Sequence, residues 1–235
     1  MNVHVLIQAR IESTRLPGKV RRKLNGKSLL RHVCERALCA GFPVTVTHPA
    51  GDDFEWANEW LPPECRFPYN GPEDDLVGRL FAAADPSAEV VVRLTADCPL
   101  VPVSGIKACV DAIRAGADYA ETRSDPSRRP NGIDVQAFTS DVLYEAFKLE
   151  DESVREHVTP ALLSVMNAKF SRIDKLENIA LDGLPPWRLT VDTAQDLERL
   201  RLWKDSGLFI DPPHPTFLEL TDFLSTRPDL EYFGE

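Results

Sequence analysis

Three short unbroken apolar runs, VHVLIQ (3–8), PVTVT (43–47) and EVVVRL (89–94), alternate with segments of helical periodicity, and this rhythm constrains the fold more than any other feature. Strands covered by helices on both faces lose the polar alternation of half-exposed ones, so EVVVRL reads as a central strand. A helix is predicted from Lys27 to Ala40, where Leu29, Leu30, Val33 and Ala37 share one face, with Gly41 as its stop. DFEWANEWL (53–61) and PEDDLVGRLFAAA (72–84) read as two more helices, the second opened by acidic residues that suit its N-terminal dipole. A helix near 104–115 and a strand at ADYAETR (117–123) continue the order. The prediction is an α/β fold with a mostly parallel, doubly wound sheet and helices on both faces.

Beyond residue 122 the rhythm changes. SDPSRRPN (124–131) reads as a turn-rich loop, GIDVQAFT (132–139) as a strand, and 140–166 as two helices joined at LEDES. WRLTVDT (187–193) reads as another sheet strand, followed by a helix with Leu197, Leu200 and Trp203 inward and a last one near Phe217–Leu224. A chain of 235 residues can bury a sizeable core, so a single domain over 1–235 is expected, with about 123–170 as a small lobe. No apolar run approaches the roughly 18 residues of a spanning helix, and the N-terminus lacks a signal sequence, so no membrane partner is expected. Five cysteines without a C-x-x-C pair suggest neither a disulfide framework nor structural zinc and fit a cytoplasmic protein.

Net charge is −10, yet residues 1–31 carry eight Lys/Arg against Glu12 alone, which leaves −17 on the remainder. An acidic body argues against a nucleic-acid partner. The local basic cluster suits a small polyanion such as a nucleoside triphosphate, or is simply a solvated helix face. Its centre, IQARIESTRLPGK (7–19), sits at the carboxyl end of the first strand, where open α/β sheets place ligands. Gly18 permits close approach, and Arg10, Arg15 and Lys19 can grip different phosphate oxygens. Neither the Walker A spacing nor G-x-G-x-x-G occurs.

QARIESTRLPGKV, LTADCPLV, REHVTP and LTVDTAQDL, in that order, resemble the cytidylyltransferases that make CMP-activated sugar acids, above all the spore-coat polysaccharide biosynthesis branch, over roughly residues 3–205. The resemblance implies a Rossmann-like nucleotidyltransferase sheet, CTP as donor, Mg2+, pyrophosphate release, a small anionic acceptor and commonly a homodimer whose small lobe helps close the acceptor site. Carried over by position, Arg10, Ser13, Arg15 and Lys19 bind the triphosphate, and the backbone around Ala9 lies near the cytosine. Asp97 and Asp192 match the metal positions; from the residues alone each equally reads as a cap of the next helix. Arg10, Lys19, Asp97 and Asp192 are thus the catalytic candidates, with no protein nucleophile required.

Acceptor contacts are expected from Asp134, Gln136, Arg155 and His157. Arg155 either meets an acceptor anion or is an ion-pair partner, and His157 is a ligand contact or a core residue. Arg93, a charge inside an apolar strand, needs a phosphate or an aspartate. Two departures from the pattern stand out. Ala96 replaces a usual Gly, which strains any positive φ, and Gln136 replaces a usual acid, which alters acceptor selectivity. Cys98 reads as a buried thiol, Asp74 and Asp75 as helix-start residues, and the four tryptophans as core or interface anchors. Two other functions stay open: a related nucleotide-sugar glycosyltransferase, for which Ala-Asp-Cys is a poor D-x-D match, and a nonenzymatic nucleotide-binding subunit.

Overall fold

β1 (Val3–Gln8) is central because it is apolar toward both sides: Val5 and Ile7 point to one face, Leu6 to the other, and all three are inaccessible. The computed structural model describes residues 1–122, 130–165, 169–208 and 210–227. After β1 come a hairpin of β2 (Lys23–Leu24) and β3 (Lys27–Ser28), α1 (Leu29–Cys39), β4 (Val44–Pro49), β5 (Arg66–Tyr69), α2 (Leu76–Ala83), β6 (Val90–Thr95), α3 (Val103–Arg114) and β7 (Tyr119–Glu121). β8 (Gln136–Thr139), α4 (Ser140–Phe147), α5 (Glu152–Arg155), α6 (Val158–Ser164) and β9 (Phe170–Arg172) follow. The chain continues with a hairpin of β10 (Lys175–Leu176) and β11 (Ile179–Ala180), then α7 (Ala194–Asp205) and α8 (Phe217–Ser225).

The seven-stranded sheet has the order β5-β4-β1-β6-β8-β7-β9. β1 is parallel to β4 and β6, with Val5 level with Val44 and Val92, and β8 alone runs antiparallel to its neighbours. Alternation splits the core. Val5, Ile7, Val90 and Val92 meet α1 and α3 through Val33, Ala37, Ile106 and Val110, whereas Leu6 and Val91 meet α2, α4 and α6 through Leu80, Leu143 and Leu162. Helices therefore cover both faces, as expected. Each fully buried aliphatic side chain contributes about 1.5–3 kcal/mol. A third cluster joins Leu24, Leu29 and Leu100 to Leu189, Leu200, Trp203 and Phe217 of the last third of the chain.

Three expectations are corrected. The stretch after Thr139 holds three helices, α4, α5 and α6, where two were expected, because the Asp151 carboxylate caps a separate short turn at Glu152–Arg155. DFEWANEWL holds only a single-turn 3-10 helix at Glu55–Ala57: the Asp53 carboxylate accepts the Glu55 N–H, Phe54, Trp56 and Trp60 pack in series, and Pro62-Pro63 ends the segment. WRLTVDT is not a strand of the sheet. It is an extended segment whose only ladder-like contact among the described residues is a bridge from Arg188 to Asn131. It mimics a strand because Trp187, Leu189 and Val191 alternate into the third cluster. The loop expected at SDPSRRPN lies, apart from Pro130 and Asn131, outside the described residues. Among the described residues no helix is long and apolar enough to cross a membrane.

Candidate functional site

Where β1 ends, the chain closes a small loop: the Gly18 N–H donates to Ile11 C=O at 3.1 Å, with Gly18 at φ +65°, and the Leu16 N–H donates to Ser13 Oγ at 3.4 Å. A short helical turn, Lys19–Arg21, then aims Lys19 back across the strand ends. Its Nζ lies 2.6 Å from Asp97 Oδ2 and 3.1 Å from Asp192 Oδ1. Arg15 reaches the same Asp192 oxygen at 3.0 Å from an exposed position. Asp97 stands just past β6, and Asp192 is brought to it by backbone: Val191 N–H donates to Asp97 C=O at 2.9 Å. Gly132 permits this approach, since at φ +101° a Cβ there would stand 2.5 Å from the Thr190 nitrogen.

Burial works against charge at both Lys19 and Asp97, but their mutual attraction and hydrogen bond win: Lys19 is held above its ordinary value and Asp97 below it. Both are charged at neutral pH. Arg188 backs the arrangement, donating to Asp192 Oδ2 at 2.8 Å and to Asp196 Oδ1 at 2.7 Å. Arg188 was missed in the sequence, although an Arg four residues before one Asp and eight before another was a visible signal.

Two cavities meet at Asp97. The larger, about 650 Å³, is lined by Ala9, Arg10, Lys19, Glu73 and Asp74. The smaller, about 500 Å³, is lined by Asn131, Asp134, Gln136, Thr159 and Asp192. Arg93, Asp97 and His157 border both. Arg10 pairs loosely with Glu73 at 3.5 Å, and Asp134 accepts the Gly132 N–H at 3.0 Å. The structure thus brings Ala9, Arg10, Lys19, Arg93, Asp97, Asp134, Gln136, His157 and Asp192 to one cleft. Ser13, Arg15 and Arg155 line neither cavity.

Other placements choose between the expected readings or depart from them. Arg155 pairs with the N-cap residue of α2, Asp75, at 3.2 Å and donates to Phe147 C=O, so it joins α5 to α2. Arg93 donates to two amide oxygens, Gln8 at 3.0 Å and Gln136 at 2.6 Å, where a phosphate or aspartate was expected. Ala96 carries no positive φ, so no strain arises there. Trp187 and Trp203 are core, but Trp56 and Trp60 carry the guanidinium groups of Arg21 and Arg31 at 5.6 and 5.8 Å. Cys98 is the buried thiol expected, its value pushed well up by burial and by Asp97 and Asp134.

Comparison with known proteins agrees with this geometry. A family model described as Cytidylyltransferase matches residues 4–47. Spore coat polysaccharide biosynthesis protein SpsF of Bacillus subtilis is 28% identical over 240 residues, covering 95% of this chain and 94% of that one. A 3-deoxy-manno-octulosonate cytidylyltransferase of Anaeromyxobacter dehalogenans is 36% identical over 122 residues, covering 51% of this chain and 50% of its own length. The structure of a cytidylyltransferase from Leptospira borgpetersenii superposes with a TM-score of 0.83 at 25% identity, covering 100% of this chain and 98% of that one. In sequence and in fold alike, the chain is similar to the cytidylyltransferases.

Proposed function

We propose that this protein transfers CMP from CTP to a small anionic acceptor, a sugar acid or similar, with release of pyrophosphate. The observation that carries the reading is the meeting of two cavities at Asp97, one lined by the cationic loop after β1 and the other by Asp134 and Gln136. CTP takes the larger cavity, with Arg10 and Lys19 toward its phosphates, and the acceptor takes the smaller. An acceptor oxygen then attacks the α-phosphorus as the bond to pyrophosphate breaks, so the residues act by positioning and by charge. Loop cations favour the leaving pyrophosphate, and Arg93, at the boundary, faces the centre of developing charge.

The donor set fits a hard divalent cation. Asp97 and Asp192 offer carboxylate oxygens that already share one cation, the Lys19 ammonium. Magnesium held by these two residues would supply positive charge beside the α-phosphate. The similarity to 3-deoxy-manno-octulosonate cytidylyltransferase supports the acidic acceptor class, and that to SpsF a place in polysaccharide synthesis. The protein is read as a homodimer, and five free thiols support a reducing, cytoplasmic location.

The test is pyrophosphate release with Mg2+, crossing the four ribonucleoside triphosphates with sugar acids, phosphonates and phosphorylated small molecules. Release confined to CTP and one acceptor class, falling at least about 100-fold in Asp97→Ala, is expected. CTP binding without release from any acceptor would overturn the reading in favour of a nonenzymatic subunit.

A further inference from the structure

Asp52 and Asp53, in the turn after β4, have no part in the transfer described above, yet both reach the loop between β1 and β2. Asp52 Oδ2 accepts the Ile11 backbone N–H at 2.8 Å, while the Ile11 carbonyl accepts the Gly18 N–H at 3.1 Å. At the other end, Arg21 donates to Asp53 C=O at 2.6 Å and to its carboxylate at 3.3 Å. Both ends of the loop are therefore tied to one turn. That turn is itself firm: Ala50 N–H donates to Tyr69 C=O at 2.9 Å and Asp52 N–H to Pro49 C=O at 3.1 Å.

Strand pairing of this stretch ends where Ala9 N–H donates to Thr47 C=O at 3.0 Å, so Ile11 is the next point at which the backbone is held. Arg10 directly precedes it and Lys19 directly follows the glycine that closes on it. We propose that Asp52 is a positioning residue that sets the phosphate-binding loop before nucleotide arrives, a role that rests on the cytidylyl-transfer reading. A carboxylate accepting a backbone N–H makes one of the stronger hydrogen bonds a protein has. Without it, the loop must be ordered at the moment CTP binds, and affinity falls by that ordering cost.

Asp52→Ala and Asp52→Asn separate the tether from the charge, since the Asn carbonyl can accept the same bond. Four quantities are read: CTP affinity by calorimetry without acceptor, hydrogen exchange of residues 9–18 in the free protein, and KM and kcat for CTP. Asp52→Ala is expected to bind CTP about tenfold more weakly, equivalent to about 1.4 kcal/mol, and to exchange faster at Ile11. Its KM rises while kcat at saturating CTP stays within about twofold, the mark of lost uniform binding. Asp52→Asn restores both affinity and protection. The proposal is overturned if Asp52→Ala binds CTP as tightly as the wild type, or if Asp52→Asn is impaired as much as Asp52→Ala. Wild-type protein that binds no CTP overturns the transfer reading, and faster exchange in Asp52→Ala would then mark the tether as purely structural.

Discussion

Gln136 donates from Nε2 to the Tyr119 hydroxyl oxygen at 2.9 Å and to Thr159 Oγ1 at 2.5 Å, and its Oε1 accepts from Arg93 at 2.6 Å. The Tyr119 hydroxyl hydrogen is committed to Glu121 at 2.6 Å, and burial followed by Glu121 pushes that phenol upward, so it stays protonated. Its oxygen can then only accept, which an amide satisfies and a carboxylate does not. This gives the departure at 136 a structural reason besides acceptor selectivity. Gln136→Glu keeps the Arg93 contact but sets a carboxylate oxygen against the Tyr119 oxygen, and is expected to lose about 1 kcal/mol, seen as a lower Tm at neutral pH with unchanged secondary structure. The cations of the loop were legible in the sequence as a group, but not their resting partners. Lys19 finds its carboxylates 78 and 173 residues away, distances over which side-chain pairing leaves no local pattern. The ion-pair reading of Arg155 could not name its partner for the same reason, because Asp75 caps a helix far earlier in the chain.

At the level of elements, α7 shows the strongest local engineering. Thr193 and Asp196 form a capping box, and the Asp196 carboxylate also takes Arg188, Arg199 and the backbone N–H of Asp192. Burial alone would raise that carboxyl, but these donors outweigh it and hold it well below its ordinary value. A carboxyl lowered on folding stabilises fully above its unfolded value of about 4 and loses that contribution as the pH falls further. Asp196→Ala is therefore expected to be about 2 kcal/mol less stable than the wild type at pH 7, with the gap closing below pH ~4, as read by urea unfolding at several pH values. Helices and central strands were readable because periodicity and burial agree there. The β2–β3 hairpin was overlooked although Asn25-Gly26, both at positive φ, carries its turn signal. WRLTVDT and DFEWANEWL misled because alternate burial and aromatic packing imitate a strand and a helix where only a bridge and a few turn hydrogen bonds form.

For the molecule as a whole, the last third of the chain completes both a core and the cleft. Trp187, Leu189, Leu200, Trp203 and Phe217 cover Leu24, Leu29, Leu100 and Ile133, and the same segment carries Arg188 and Asp192. A chain ending at residue 185 is expected to bind a hydrophobic dye and to lose its cooperative thermal transition, checked by dye fluorescence and calorimetry. That outcome differs from Asp192→Ala, which removes a charge while leaving the apolar cover in place. Lys19 also has a history that the finished fold conceals. Its second carboxylate is made 173 residues after it, which at 5–20 residues per second is a delay of roughly nine to thirty-five seconds. The pairing of Lys19 is therefore made in two instalments during synthesis, Asp97 first and Asp192 much later, and a ribosome that stops short of the second releases a Lys19 held on one side only.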